Sequence, residues 1–206
     1  MKTIYLTHKR NSEARQAVIC LLVFLLIVSA IFTVNNLISF PAFNFCILFG
    51  AGYLSWTFTE YFMHRFWMHN NFKKINFKTY EMHMHHHKHP TDIKITGLQR
   101  AVSFLTGMVL LAGAIYLNNY FTIFVGFYFG FVFYTVLHVI LHHRWGKYIL
   151  PRVQIAHIHH HGKYPETGFS FSTILWDYLF GTMAPKGAEI SEQMKNFYFK
   201  EDHHHS

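Results

Sequence analysis

Two long blocks without a charged side chain constrain this sequence more than any other feature. Residues 16–59 contain no Asp, Glu, Lys or Arg, and neither do residues 101–143. Polar or turn-forming residues interrupt each block near its middle, NNLISFPAFN in the first and NNY in the second. A helix needs about 20 apolar residues to cross roughly 30 Å of hydrocarbon. Each block therefore predicts a hairpin of two spanning helices, at 17–37 and 43–63 and at 98–117 and 120–142.

The distribution of charge predicts the orientation of these helices. Only 14% of the residues are charged and 51% are hydrophobic, whereas the helices of a soluble protein normally carry a charged outer face. The 18 Lys and Arg residues lie in the N-terminal tail, between Arg65 and Arg100, or after His143. The positive-inside rule predicts that both termini and the middle segment are cytoplasmic. The net charge of +8 then faces anionic lipid headgroups, and no nucleic-acid partner is expected.

These observations predict an all-α integral membrane protein with four transmembrane helices in two hairpins. Residues 64–97 and 143–206 would form a cytoplasmic helical cap that holds a histidine-rich metal site. Residues 1–206 would form a single domain, because a chain of 206 residues has the length of one domain.

Fourteen of the 18 histidines fall into four clusters. These read HRFWMH, HMHHHKH, HVILHH and HIHHH, and they begin at His64, His83, His138 and His157. Every cluster lies at the predicted cytoplasmic end of a span or in a cytoplasmic segment. The clusters are therefore predicted to converge on one side of the membrane.

Spacing within the clusters indicates which imidazoles point together. Residues three and four apart share a helix face, which groups 83 with 86 and 87, 157 with 160 and 161, and 138 with 142. His64 and His69 are five apart, so they meet only if the helix ends, tightens or bulges between them. Ten aligned histidines are too many for one ion and suggest two ions side by side. Neutral imidazole suits Fe, Zn, Cu and Ni.

Carboxylates near the clusters are candidates to accept the distal ring N–H groups of metal-binding histidines. They are Glu60, Glu81, Asp92 and Asp177. Glu60 is favoured among them, because a carboxylate at the end of a spanning helix is costly without a partner. The unaligned histidines are expected to be neighbours of the site, although the sequence leaves open whether one of them replaces a ligand; they are His85, His89, His143 and His159. The terminal HHH at 203–205 is excluded from the site.

The four clusters together resemble the membrane-bound fatty acid hydroxylase and sterol desaturase superfamily, most of all its fatty acid 2-hydroxylase branch, which acts on sphingolipid acyl chains. The similar segments are WTFTEYFMHRFWMH, HMHHHKHPTD, HVILHH and HIHHHGKYPETGFSFSTILWDYLFGT. They extend over roughly residues 45 to 183. Two departures stand out, since Thr135 follows Tyr134 where the branch often has Asp, and no HPGG-type haem motif occurs.

The resemblance implies a membrane enzyme with a histidine-ligated di-metal centre, usually di-iron, with zinc as the alternative in a purified form. Such enzymes use O2 and two external electrons to hydroxylate or desaturate a lipid. The missing haem motif implies a separate electron donor, a cytochrome b-type protein or a ferredoxin. By motif position the metal ligands would be His64, His69, His83, His86, His87, His138, His142, His157, His160 and His161.

The predicted depth of the ligands favours one reaction. A membrane lipid presents its headgroup and first carbons at the cytoplasmic interface, so hydroxylation of an acyl chain near its carboxyl end needs little distortion. Sterol or carotenoid oxidation within the same superfamily remains an alternative. A histidine-rich metal transporter or sensor is another, although a transporter places ligands near mid-membrane and the centres of all four predicted helices are apolar. The chain length and the missing haem domain favour a bacterial inner membrane over the endoplasmic reticulum.

Two further patterns yield local predictions. Gly126 and Gly130 form a GxxxG step that permits close helix approach. The segment GFSFSTILWDYLFGT is predicted to fold over the metal site, with Trp176 and Tyr178 at the membrane surface.

Overall fold

The computed structural model describes residues 26, 41–69, 77–93 and 95–199. This part of the chain is helical and contains no strand, which confirms the all-α prediction for it. Its elements are α1 (Pro41–Phe62), a π-helical segment (Met63–Met68), α2 (Phe77–Lys88), α3 (Gly97–Leu117), α4 (Phe121–Leu141), a 3-10 helix (Arg144–Tyr148), α5 (Pro151–His161), α6 (Leu175–Leu179) and α7 (Glu192–Tyr198).

Two of the described helices, α3 and α4, are long and apolar enough to cross a membrane. Their bounds agree with the predicted spans to within about one residue. Only 11% of the most apolar stretch of α3 and 33% of that of α4 is buried, whereas the core helix of a soluble protein buries most of its apolar surface. Helix α1 has 22 residues, but its mean hydropathy is too low for it to be counted with α3 and α4, because it carries polar or weakly apolar residues such as Asn44, Tyr53 and Trp56. The predicted span at 17–37 lies outside the described residues except for Leu26, which is helical.

Helices α1 and α4 pack closely because glycine removes side chains from their interface. A β-carbon on Gly126 would collide with the carbonyl of Phe49, and one on Gly130 would collide with the Trp56 side chain. Gly52 of α1 faces the backbone of α4 in the same way. The predicted close approach at the GxxxG step is therefore confirmed, and it brings the C-terminal ends of α1 and α4 together.

Local signals also define the α3–α4 hairpin. Thr96 caps α3 by accepting a hydrogen bond from Gln99 N–H, and the Gln99 side chain accepts one from Thr96 N–H in return. This reciprocal pair satisfies backbone donors that a helix start leaves unpaired. At the other end Asn118 adopts a left-handed conformation with φ of 44°, which ends the helix before the chain turns into α4.

The segment after α5 folds back against α1. Trp176 of α6 donates its indole N–H to the Thr57 hydroxyl at 3.0 Å, and its ring lies 5.0 Å from that of Phe58 in a T-shaped contact. Trp176 is 1% exposed and lies inside the protein, whereas Tyr178 is 76% exposed; that both lie near the membrane surface stays a prediction. The indole is interior because α6 closes over the C-terminal half of α1, beside the histidine clusters.

Candidate metal centre

The π-helical segment at the end of α1 brings together two histidines that a regular helix would separate. His69 N–H donates to the carbonyl of His64, five residues earlier, at 3.3 Å. The two ring centroids lie 5.0 Å apart. Of the three possibilities that the sequence left open, that the helix ends, tightens or bulges, the structure shows a bulge, and bulges of this kind are frequent at functional sites.

Five imidazoles form a first histidine group around His83. The Nε2 atom of His83 lies 3.0 Å from that of His64, 2.9 Å from that of His69 and 3.0 Å from that of His87. The Nε2 atom of His160 lies 3.2 Å from that of His69. All five candidate ligand atoms lie within 4.8 Å of one another; the group is His64, His69, His83, His87 and His160.

A second histidine group lies next to the first. His86, His142, His157 and His161 also have candidate ligand atoms within 4.8 Å of one another. The Nε2 atom of His138 lies 3.2 Å from those of His86 and His142, so His138 joins this group as its fifth member. The structure thus brings together all ten histidines predicted as ligands and divides them five and five.

Hydrogen bonding between the rings does not account for this convergence. The Nδ1 atoms of His64 and His160 lie 2.6 and 2.7 Å from the carbonyl oxygens of Phe169 and Thr167, so each Nδ1 carries the proton that it donates. A neutral imidazole has one N–H, and the Nε2 atoms of both rings therefore present lone pairs to the group. In the second group, neither ring nitrogen of His161 has a hydrogen-bond partner among the described residues.

A bound cation would explain both observations. Two nitrogens bound at right angles to one ion, with metal–nitrogen bonds of about 2.1 Å, lie about 3.0 Å apart. The distances of 2.9 to 3.2 Å between Nε2 atoms match that value. The residues present therefore fit a metal ion at each group.

Burial keeps these imidazoles in the neutral form that binds metal. It lowers the pKa of His69 to about 4 and that of His86 to about 4. Burial, with smaller contributions from His69 and His86, lowers the pKa of His87 to about 3. Burial also holds the pKa of His157 and His160 well below the ordinary value. Protons therefore compete little with a metal ion at neutral pH.

The loop between α5 and α6 supplies the carbonyl oxygens that orient the first group, and Asp177 holds that loop. Its Oδ1 accepts the backbone N–H of Phe169 and its Oδ2 that of Ser170, both at 2.9 Å. The Thr182 hydroxyl donates to the same carboxylate at 2.7 Å. The backbone of Phe169 thus links the two side chains, because its N–H donates to Asp177 and its carbonyl accepts from His64.

Glu60 holds the next two residues of the same loop. Its Oε1 accepts the backbone N–H groups of Phe171 and Ser172 at 2.5 and 2.9 Å, and its Oε2 accepts the Ser172 hydroxyl at 2.5 Å. The donors to both carboxylates therefore differ from the sequence prediction, in which Glu60 and Asp177 accept ring N–H groups from histidines. The two carboxylates bind backbone N–H groups because the loop lies between them and the imidazoles.

The other two carboxylates predicted near the site have different positions. The backbone carbonyl of Asp92 accepts a hydrogen bond from His86, while its carboxylate lies 3.6 Å from Nδ1 of His85. Glu81 is exposed on α2. None of the four unaligned histidines belongs to either group: His85, His89 and His143 are exposed, and His159 is buried against Tyr164.

Aromatic residues at the site were not identified as such from sequence. The ring of Phe171 lies 4.5 Å from that of His64 and 4.8 Å from those of His138 and His157, so it packs against both groups. Tyr198 of α7 stacks on His142 at 4.7 Å with an interplanar angle of 22°, and its hydroxyl donates to the carbonyl of Leu141 at 3.1 Å. Phe171 lies in a segment predicted to cover the site, whereas nothing in the sequence around Tyr198 indicates its position.

A small cavity, here named the central cavity, reaches both groups. It has a volume of about 180 Å³ and touches His83 of the first group and His86 and His138 of the second. The rest of its wall is mainly apolar and includes Met68, Met82, Ile93, Ile95 and Tyr134. An apolar chain segment that enters this cavity would lie beside both sets of ring nitrogens.

Comparisons with known proteins agree with the geometry. The sequence model of the fatty acid hydroxylase family matches residues 49–182. Fatty acid 2-hydroxylase of Mus musculus is 33% identical over 164 residues, which cover 74% of this chain and 44% of that protein. Dihydroceramide fatty acyl 2-hydroxylase of Arabidopsis thaliana is 31% identical over 156 residues, which cover 71% of this chain and 63% of that protein. The chain thus spans less than two thirds of either relative.

A solved structure is similar as well. It is described as full-length scs7p with only the hydroxylase domain visible. It matches with a TM-score of 0.52 and 25% identity, and the match covers 85% of this chain and 69% of that one.

Proposed function

The chain belongs to the fatty acid hydroxylase family, and from that membership we propose that it is a di-metal, O2-dependent oxidoreductase that hydroxylates a lipid acyl chain. The observation that carries the proposal is the division of ten buried or half-buried histidines into two adjacent groups of five. The two relatives are named as 2-hydroxylases of fatty acids and of dihydroceramide acyl chains, which supports a position near the carboxyl end.

We propose five imidazole ligands for each ion and iron as the metal in both groups. Bound iron would supply O2 activation, in which one oxygen atom enters a C–H bond and the other leaves as water after uptake of two electrons and two protons. The chain's own contribution is to orient the rings, through carbonyls such as those of Phe169 and Thr167. The apolar walls of the central cavity exclude water and hold a methylene segment next to the groups.

The electrons would come from a separate protein, a cytochrome b-type protein or a ferredoxin.

The proposed setting is a membrane, with α3 and α4 as two of four spans and residues 1–206 as one domain. The exposed apolar surface of α3 and α4 supports this setting. Arg100 and Arg144 lie at the histidine ends of α3 and α4, whereas the turn between these helices at 118–120 carries no Lys or Arg. We therefore propose that the site and both termini are cytoplasmic. We further propose a bacterial inner membrane as the location.

Lipid analysis tests the proposed reaction. The chain would be expressed in a host whose lipids lack 2-hydroxy acyl chains, in air and under low oxygen. We expect acyl chains that gain one oxygen atom at the carbon next to the carboxyl carbon, with heavy isotope incorporation when heavy O2 is supplied.

A matched pair of variants serves as the control. His86→Ala should abolish the product, whereas His85→Ala, at an exposed neighbour outside both groups, should retain it. Absence of any oxygen-dependent lipid product from well-expressed, metal-loaded protein would refute the proposal, and a sterol or carotenoid product would refute its acyl part.

A further inference from the structure

A second cavity, here named the arginine cavity, lies beside His142 of the second group. It has a volume of about 420 Å³, and its polar lining includes Arg100, His143 and Arg144. The described residues that line it include no Asp or Glu. The cavity therefore presents two permanent positive charges next to the candidate metal centre.

Arg100 lies at a place in its helix where a positive charge is electrostatically unfavourable. Arg100 lies in the first turn of α3, four residues after the Thr96 cap, where the helix dipole disfavours a cation. Its Nε donates to the carbonyl of Thr135 on α4 at 3.3 Å, which fixes the guanidinium and leaves its two terminal nitrogens for another acceptor. Among the described residues neither Arg100 nor Arg144 forms an ion pair with a carboxylate.

The arginine cavity shares walls with the paths that an acyl chain would use. Ile93 lines both the arginine cavity and the central cavity. Arg100 also lines an apolar groove of about 490 Å³ between α3 and α4, where its neighbours are Leu98, Val102 and Phe131. Ile95 in turn lines both this groove and the central cavity. Residues 91–93 and 95–100 thus line a cationic cavity, an apolar groove and the cavity beside the histidine groups.

We propose that Arg100 and Arg144 bind an anionic group at the polar end of the acyl substrate, while its chain occupies the apolar groove and its first carbons reach the central cavity. This inference rests on the proposed function and adds a substrate class to it. Guanidinium groups match carboxylates and phosphates through paired hydrogen bonds. The favoured substrate is therefore an acyl lipid with an anionic head, either a free fatty acid or a phosphate-bearing lipid, over a neutral ceramide.

Equilibrium binding tests this assignment without relying on turnover. The purified full chain, loaded with metal in a neutral detergent, would be titrated with palmitate, with dipalmitoyl phosphatidate, and with the neutral N-palmitoyl sphinganine and methyl palmitate. We expect palmitate or phosphatidate to bind at least about tenfold more tightly than the neutral lipids, since a hydrogen bond to a charged group is worth that factor or more. The stronger of the two anions identifies carboxylate or phosphate as the recognised group.

Charge-removing variants locate the site. Arg100→Gln and Arg144→Gln should each weaken binding of the favoured anion about tenfold and leave binding of methyl palmitate unchanged. Lys147→Gln is the matched control, because Lys147 is an exposed cation of the same 3-10 helix that does not line the cavity. Metal content and thermal unfolding of each variant check that the fold is intact.

The outcomes separate this inference from the proposed function. Anion binding that depends on Arg100 and Arg144 supports the assignment even if no lipid is hydroxylated, in which case the proposed reaction fails alone. Equal binding of neutral and anionic lipids, or equal losses in all three variants, overturns the assignment whether or not the protein is a hydroxylase.

Discussion

The first and second histidine groups differ in how many of their imidazoles donate to backbone carbonyls. In the first group, His64 and His160 donate Nδ1–H to backbone carbonyls. In the second group only His86 donates to a backbone carbonyl, that of Asp92. The Nδ1 atoms of His142, His157 and His161 have no hydrogen-bond partner among the described residues. Aromatic rings pack against these imidazoles instead, with Tyr198 stacked on His142 and Phe171 edge-on to His157.

This difference has a consequence for metal affinity. A directional hydrogen bond fixes both the tautomer and the angle of an imidazole and raises its basicity, whereas ring packing restricts position without donating or accepting a proton. We therefore expect the first group to bind its ion more tightly than the second. Phe171 packs against both groups, so a movement of the imidazoles in one group would displace this ring against the other group.

The largest expected effects come from removing one ligand in each group. His160→Ala and His161→Ala change neighbouring residues of α5 that belong to different groups. Each should abolish hydroxylation and remove about one of two ions, measured by elemental analysis of purified protein. Loss of both ions in each variant would break the distinction between the groups, and retention of both ions with full activity would contradict the assignment of ligands.

A smaller effect is expected from Asp177→Ala, which leaves all ten histidines in place. The change frees the backbone N–H groups of Phe169 and Ser170 and so loosens the carbonyl that orients His64. We expect metal affinity of the first group to fall about tenfold, as for outer partners of metal ligands, with little change in the second. The measurement is metal occupancy against buffered free metal in a His142→Ala background, in which only the first group reports.

Wild-type protein should also release its ions in two steps. On titration with a chelator, one ion should leave at a free-metal concentration about tenfold higher than the other, given the contribution of outer hydrogen bonds to affinity. Combining the titration with His160→Ala or His161→Ala identifies which group is emptied first. Simultaneous release of both ions would show that hydrogen bonding to Nδ1 does not separate the two groups.

The smallest effect is expected at Tyr198. Replacement by Leu removes the ring stacked on His142 and should weaken metal binding by the second group about threefold, because an aromatic pair contributes about 0.5–1.5 kcal/mol. Tyr198→Phe keeps the ring and loses only the hydrogen bond to the Leu141 carbonyl, so it should retain metal affinity. Equal loss in both variants would indicate that the hydroxyl, and not ring packing, supports the second group.

Helical periodicity accounts for the part of the site that was predicted from sequence. It required the helix to end, tighten or bulge between His64 and His69, and the π-helical segment provides the bulge. It did not divide the ligands into groups. Adjacent residues such as His86 and His87 lie about 100° apart around a helix, so α2 faces both groups at once, and only the positions of the other helices decide which ring joins which.

Sequence patterns could not predict which groups the carboxylates bind. Glu60 contacts Phe171 and Ser172, more than a hundred residues away, and no spacing rule covers such a pair. The loop that these residues form has no helical period, so the sequence could not show that its backbone N–H groups donate to these carboxylates. Trp176 was assigned to the membrane surface from a residue-type preference, and that preference did not predict its contacts with Thr57 and Phe58 of α1.

The π-helical segment makes the length of this region as important as its composition. It inserts an extra residue into the hydrogen-bonding period, as the bond from His69 back to His64 records. Deleting one residue between His64 and His69 would leave them four apart, a spacing that ordinary α-helical winding keeps on one face, about 40° apart. Ordinary winding with that residue kept would instead set the two side chains about 140° apart and turn His69 away from His83, whose Nε2 now lies 2.9 Å from its own. The wider π-helical turn is therefore what lets a five-residue spacing serve one ion site.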